Sequence, residues 1–258
     1  MTMPQDTKGP TQASVDQRAR PGSTEPRVNG RLQPLTAFRA LRRLIADPER
    51  TEEVFVVIRA LSGTSLEQGY ARFRATALGQ RVLAEQRVLI DRLTDRTALR
   101  ALPADSLGRA YLTFVEREGI TAEGLVEASD HESLIADPGL LLFSQRQRDM
   151  HDLWHVTTGY GRDTFGEVCL LAFTYAQTRN RGLGVIALAG LAKHLRPMGW
   201  GVLSAFITAY RAGKRARWLP AEDWELLLTR PLDEVRTTLG ISDPVRYRSL
   251  IAQAAPAY

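Results

Sequence analysis

Residues 148–170, RDMHDLWHVTTGYGRDTFGEVCL, limit the fold more than any other stretch of this 258-residue chain. On an α-helix each residue advances about 100°, so His155 lies about 40° from His151, and Asp152 about 100° from it. Two imidazoles at i and i+4 can share one ion, and a neighbouring carboxylate can join or orient them. Glu167 cannot join them along a straight helix, because twelve residues carry it about 18 Å past His155. A zinc ligand must come within about 2 Å of the ion. The chain must therefore turn back, and Gly159 and Gly161 in TGYGRD permit the turn. A second helix starting near Asp163 or Thr164 returns Glu167 in its first turn. The spacing predicts a helix-turn-helix clamp around a metal, with an ordinary polar patch as the competing reading. The zinc-protease pattern H-E-x-x-H needs Glu directly after the first His. Asp152 stands there instead, and a protease is rejected.

The flanking sequence is patterned for helices. Leu35, Phe38 and Leu41 recur at helical spacing, and ADPE supplies a stop. TEEVFVVIRALSG reads as helix or short strand; acidic residues in its first turn and Gly63 at its end favour helix. Residues 65–93 predict one or two helices with a break near Gly79, and LPADSLGRAYLTFVEREG predicts a loop and a helix ending near Gly119. GLGVIALAGLAKHLRPMGWGVLSAFITAYRAGKRARWL predicts two more. Two short helices then end the folded part, with Pro220 and Pro231 near their starts, where a missing amide proton costs little. No sheet and no repeat emerges. The expected architecture is all-α: residues 1–31, rich in Pro, Gly, Ser and charge, as a disordered tail, and residues 32–258 as one helical domain.

Hydrophobic and charged fractions of 44% and 24% are those of a soluble globular protein. Of the net charge of +5, the tail supplies +2. The remaining +3 is too diffuse for a nucleic-acid partner, and no recognition motif accompanies it. Cys169, the single cysteine, excludes an internal disulfide framework and lies among apolar neighbours, as a buried inert thiol would. No run of about 18 apolar residues suggests a membrane span. A secretory leader is not evident either, so the expected compartment is the cytoplasm. Of the remaining histidines, His131 reads as a solvated loop residue and His194 as one near a helix end.

HDLWH followed by eleven residues and Glu167 resembles the H-D-x-x-H-x(11)-E signature of the Coq-four family of coenzyme Q (ubiquinone) biosynthesis proteins. LPADSLGRAYLTFV and WELLLTRPLDEVRTTLGI resemble two further blocks of that family, and the likeness covers roughly residues 65–242. Met150 departs from the family's usual small polar residue, and Ala104 and Asp105 from its commoner Gly-Thr. The resemblance implies an all-helical fold. It also implies a divalent metal held by His151, Asp152, His155 and Glu167, usually taken as zinc. It further implies peripheral association with the membrane that holds polyprenylated quinone precursors, here its inner face, and contact with other enzymes of ubiquinone biosynthesis. The implied activity is removal of the carboxylate at ring carbon one of a polyprenyl-hydroxybenzoate, in an oxidative form coupled to hydroxylation there.

Chemistry qualifies the zinc expectation, since two imidazoles plus carboxylate also suit iron or manganese. Arg148 and Arg162 flank the motif and either pair with a substrate carboxylate, cap helices, or bridge Asp149 and Asp163. Lys214, Arg215, Arg217 and Trp218 either face lipid headgroups or form a solvated basic turn. The rival function is a non-catalytic lipid-binding organiser of a quinone-biosynthesis complex. A site with every metal position filled by protein favours the organiser, and an open position favours the enzyme. A homodimer is the expected assembly.

Overall fold

The structure is a computed structural model that describes residues 32–46, 50–120 and 135–254. The expected tail and His131 lie outside the described residues. Among those described there are fourteen α-helices and no strand. In chain order they are α1 (Pro34–Ala46), α2 (Thr51–Ser62), α3 (Ser65–Arg74), α4 (Ala77–Glu85), α5 (Ile90–Thr94), α6 (Arg96–Ala101) and α7 (Leu107–Arg117). After the undescribed 121–134 come α8 (Pro138–Thr158), α9 (Thr164–Thr178), α10 (Arg181–Met198), α11 (Gly201–Arg215), α12 (Trp224–Leu227), α13 (Leu232–Leu239) and α14 (Val245–Ala254).

The ambiguous VFVVI segment is helical, as its acidic first turn and terminal glycine predicted. The break expected at Gly79 falls instead at Ala75–Thr76. Thr76 caps α4 by accepting from the Gly79 amide, at 2.9 Å. Gly79 serves contact rather than interruption, because a Cβ there would meet the Phe73 carbonyl oxygen at 1.9 Å. At the other end of the chain, the folded part does not stop after two short helices. A further helix, α14, follows, and it packs on α11.

Helix α9 is the centre of the molecule, with α10 and α11 packed along it. Its Phe165, Cys169, Leu170 and Phe173 are fully buried. Helix α8 starts where Pro138 fills N1 and Asp137 accepts from the Gly139 and Leu140 amides. Residues 152–158 are all buried, so its second half threads the core against α7, α9 and α13. The Arg146 guanidinium is carried inside: its side chain is 1% exposed and forms two hydrogen bonds to Glu225 of α12, at 2.5 and 2.9 Å.

Candidate metal centre

Helix α8 ends at Gly159, whose φ of +75° is the left-handed conformation that glycine adopts without strain. Four residues later Asp163 caps α9, its Oδ1 accepting from the Phe165 and Gly166 amides. The turn is tight: a Cβ on Gly166 would stand 2.2 Å from the Gly161 carbonyl oxygen. Glu167 therefore sits in the first turn of α9, as the spacing required.

His151, His155 and Glu167 come together. The His155 and His151 Nε2 atoms are 3.3 Å apart. Glu167 Oε1 lies 3.3 Å from His155 Nε2, and its Oε2 lies 3.7 Å from His151 Nε2. Donors about 2.0–2.1 Å from a zinc ion, at tetrahedral angles, stand roughly 3.3 Å apart. These spacings, taken to the two oxygens of Glu167, are close to a donor–donor edge of such a tetrahedron, so the three groups can share one ion. His155 Nδ1 donates to the Tyr160 carbonyl at 2.9 Å, which fixes the ring and turns Nε2 towards His151 and Glu167. Its ring also stacks on Phe114, with centroids 5.6 Å apart. Burial pushes the Glu167 carboxyl up, but hydrogen bonds from His151 and His155, with their charges, outweigh it and hold the group at about 2. The site is asymmetric, with the His155 side chain fully buried while His151 is 42% and Glu167 34% exposed. One side opens outward. The donor set fits a divalent cation.

Asp152 does not join the three. It is buried in α8, near enough to Tyr111 for its charge to act on that phenol. Burial first, and then the charges of Asp152 and Asp149, push that phenol up. Arg148 forms the bridge to Asp149, at 2.8 Å. Arg162 stands over the site, 40% exposed, with Nε 4.0 Å from Glu167 Oε1. Lys214 and Arg215 are exposed, and Arg217 pairs with Glu222 at 2.8 Å. Trp218 is drawn into the body instead of facing outward. Its indole donates to the Gln177 carbonyl at 3.1 Å, and Arg72 covers its ring at 4.0 Å. Cys169 is buried, as its apolar neighbours predicted, and burial pushes its thiol up. His194 lies inside α10, bonded to Thr164 Oγ1 at 3.0 Å and to the Gly190 carbonyl at 2.8 Å.

The sequence pattern gave no sign of Tyr247 on α14. Its hydroxyl donates to Asp163 and accepts from the Gly161 amide at 2.9 Å. Pro244 backs Gly159 on the same side. A tyrosine in a short amphipathic helix far downstream carries no local signal that it closes this turn.

The model of the family described as coenzyme Q (ubiquinone) biosynthesis protein Coq4 matches residues 30–245, taking in α1 and α2 as well as the stretch already recognised. The mitochondrial ubiquinone biosynthesis protein COQ4 of Podospora anserina is 31% identical over 174 residues, covering 67% of this chain and 56% of that protein. Its counterpart in Botryotinia fuckeliana is 31% identical over 179 residues, with 67% and 60% covered. The chain thus spans under two thirds of these relatives' length. A crystal structure of a candidate ubiquinone biosynthesis protein from Nostoc punctiforme superposes with a TM-score of 0.59 at 20% identity. It covers 83% of this chain and 100% of its own, a likeness of fold.

Proposed function

The chain belongs to the coenzyme Q (ubiquinone) biosynthesis protein Coq4 family, and from that premise we propose that it is a metal-dependent decarboxylase of that pathway. The substrate is a polyprenyl-hydroxybenzoate, which loses its ring-carbon-one carboxylate as carbon dioxide, the ring carbon keeping the bonding pair and taking up a proton. In the oxidative form a hydroxyl enters at the same carbon, and an oxidant is the co-substrate. His151, His155 and Glu167 hold the divalent metal; zinc, iron and manganese all suit the donors. When bound, the ion supplies Lewis acidity towards a carboxylate or phenolate oxygen.

The chain's own groups have separable parts. His155, locked by Tyr160 and Phe114, fixes the geometry from the buried side. Arg162, at the exposed rim, is placed to hold a substrate carboxylate. Arg148 is already engaged by Asp149 and acts on the helix more than on a ligand. The isoprenoid tail needs an apolar path, and a groove of about 390 Å³ lies between α9, α10 and α11, lined by Tyr175, Val185, Leu188, Phe206 and Tyr210. A peripheral position on the inner face of the membrane that dissolves such substrates, beside other enzymes of the pathway, belongs to the same proposal. Among the described residues no helix is long and apolar enough to cross a membrane.

The observation that carries the enzyme reading is the three-donor triangle with an open side. A structural zinc has all four positions taken by protein, whereas a catalytic one keeps a position free. The organiser reading calls for a fourth protein donor beside His151, His155 and Glu167. The test is complementation of cells that lack this protein, with wild type or Glu167→Ala, while quinone precursors are measured. Build-up of the carboxylated polyprenyl precursor, cleared by wild type alone, supports the decarboxylase. Full quinone synthesis with folded Glu167→Ala would overturn it and return the organiser to favour.

A further inference from the structure

Between Glu167 and Glu222 the chain carries no acidic side chain, yet it holds eight arginines and lysines there, from Arg179 to Arg217. The rest of the chain holds 26 cations against 29 acids. This segment, which forms α10, α11 and their flanks, therefore carries an unbalanced charge of +8, whereas the rest of the chain sums to −3. All eight cations are exposed.

The same segment exposes apolar surface. With Leu203 as the origin of the α11 wheel, Lys214 falls at about 20°, Ile207 at about 40°, Trp200 at about 60° and Arg211 at about 80°. One face of α11 is thus apolar over its first turns and basic over its last. Trp200, at the α10–α11 turn, is 80% exposed; Ile207 is 38% and Leu203 36% exposed. Leu188 of α10, 58% exposed, lines the shallow apolar groove alongside, with Arg181 also at its wall. A tryptophan and three aliphatic side chains exposed beside Arg181, Arg211 and Lys214 make an amphipathic surface that calls for a partner.

We propose that the outer face of α10 and α11 docks on a membrane carrying anionic lipid headgroups, with Trp200 inserted at the interface and Arg211 and Lys214 on the phosphates. The proposal rests on the membrane-associated role above and names its contact surface, which is Trp200 rather than Trp218. A second copy of the chain fits this face less well. Isologous contact would set cations against cations, with no acid anywhere in the segment to pair them. A nucleic acid offers anions but nothing to cover Leu188, Leu203 and Ile207. An amphipathic face with an aromatic residue at its edge matches the boundary between headgroups and acyl chains.

The test is co-sedimentation of the full chain with vesicles of phosphatidylcholine alone and of phosphatidylcholine mixed with phosphatidylglycerol, with tryptophan emission followed in parallel. Trp154 and Trp224 are buried, so a lipid-induced blue shift that disappears in Trp200→Phe reports insertion of that residue. The expected result is partition onto the anionic vesicles only. It should weaken about fivefold for each cation removed, or about thirtyfold for Arg211→Ala with Lys214→Ala. Equal partition onto both vesicle types, no partition, or binding without an emission change would each overturn the proposal. So would displacement by duplex DNA, or a dimer that Trp200→Ala dissociates in place of any lipid binding. Glu167→Ala separates the two readings: it should lose metal and still bind anionic vesicles. Metal-loading wild type that ignores vesicles sinks the docking face alone, and wild type that binds vesicles but no metal sinks the decarboxylase alone.

Discussion

The Tyr247 hydroxyl donates to Asp163 and accepts the Gly161 amide, so one side chain of α14 closes the turn between the two helices that carry the metal donors. The bond reaches the site by two routes. Asp163 uses its other oxygen to cap α9, one turn before Glu167. Tyr160, whose carbonyl orients His155, packs edge-on against the Tyr247 ring with centroids 5.4 Å apart. Tyr247 lies two residues beyond the family match.

Tyr247→Phe keeps the ring and deletes the two hydrogen bonds. Loss of a bond to a capping carboxylate, with a part-buried amide left unpaired, costs about 1–3 kcal/mol. Groups that orient metal ligands through a second contact typically change metal affinity about 10–100-fold. Denaturant unfolding should therefore show a moderate loss, and zinc titration of the still-folded variant a weakening of at least about tenfold. Metal affinity equal to wild type would mean that α14 merely covers the turn.

Arg146 and Glu225 make a different kind of contact, since both are withdrawn from water and each is the other's ionic partner. Glu225→Ala strands a guanidinium that is 1% exposed, and removing one member of such a pair costs about 3–5 kcal/mol. Arg146→Met combined with Glu225→Leu should recover most of that, because the charge and its desolvation leave together. The pair also sets an acid limit. Burial pushes the Glu225 carboxyl up, but the hydrogen bonds and charge of Arg146 bring it below the usual carboxylate value. A folded value below the unfolded one stabilises the protein above about pH 4.3, and the contribution is lost as pH falls through the folded value. Urea midpoints at pH 7 and pH 3 should differ less for the double variant than for wild type.

How far the fold could be read ahead of the structure depended on whether the signal was local. The clamp was legible because helix rise and two glycines leave one way for Glu167 to meet His155. The VFVVI helix was legible from its ends, although its residues favour strand. Gly79 misled because a glycine inside a helical pattern signals either a break or a close approach, and the Phe73 carbonyl that settles the matter lies in the preceding helix. Trp218 misled because a basic run beside an aromatic residue looks the same whether the ring faces solvent or, as here, lies under Arg72. Helix α14 was missed because its polar, arginine-rich turns give a weak pattern. Its value lies in Tyr247, a contact 84 residues from Asp163.

Asp152 offers the sharpest test of the metal centre, since family resemblance counts it among the ligands while the grouped donors are His151, His155 and Glu167. If His151, His155 and Glu167 are the donors, Glu167→Gln should weaken zinc binding by about a hundredfold or more, because it removes a charged donor. Asp152→Asn, acting through helix electrostatics, should fall at the low end of the about 10–100-fold range for indirect groups. The pH dependence separates the donors further. Glu167, held at about 2, stays ionised throughout the neutral and mildly acidic range. Any loss of metal between pH 7.5 and pH 5 is then not a protonation of Glu167. Zinc titrations of wild type, Asp152→Asn and Glu167→Gln from pH 7.5 to pH 5 measure all of this at once. Equal losses for the two carboxylate variants would place Asp152 on the ion, and require α8 to rotate or unwind locally when metal binds.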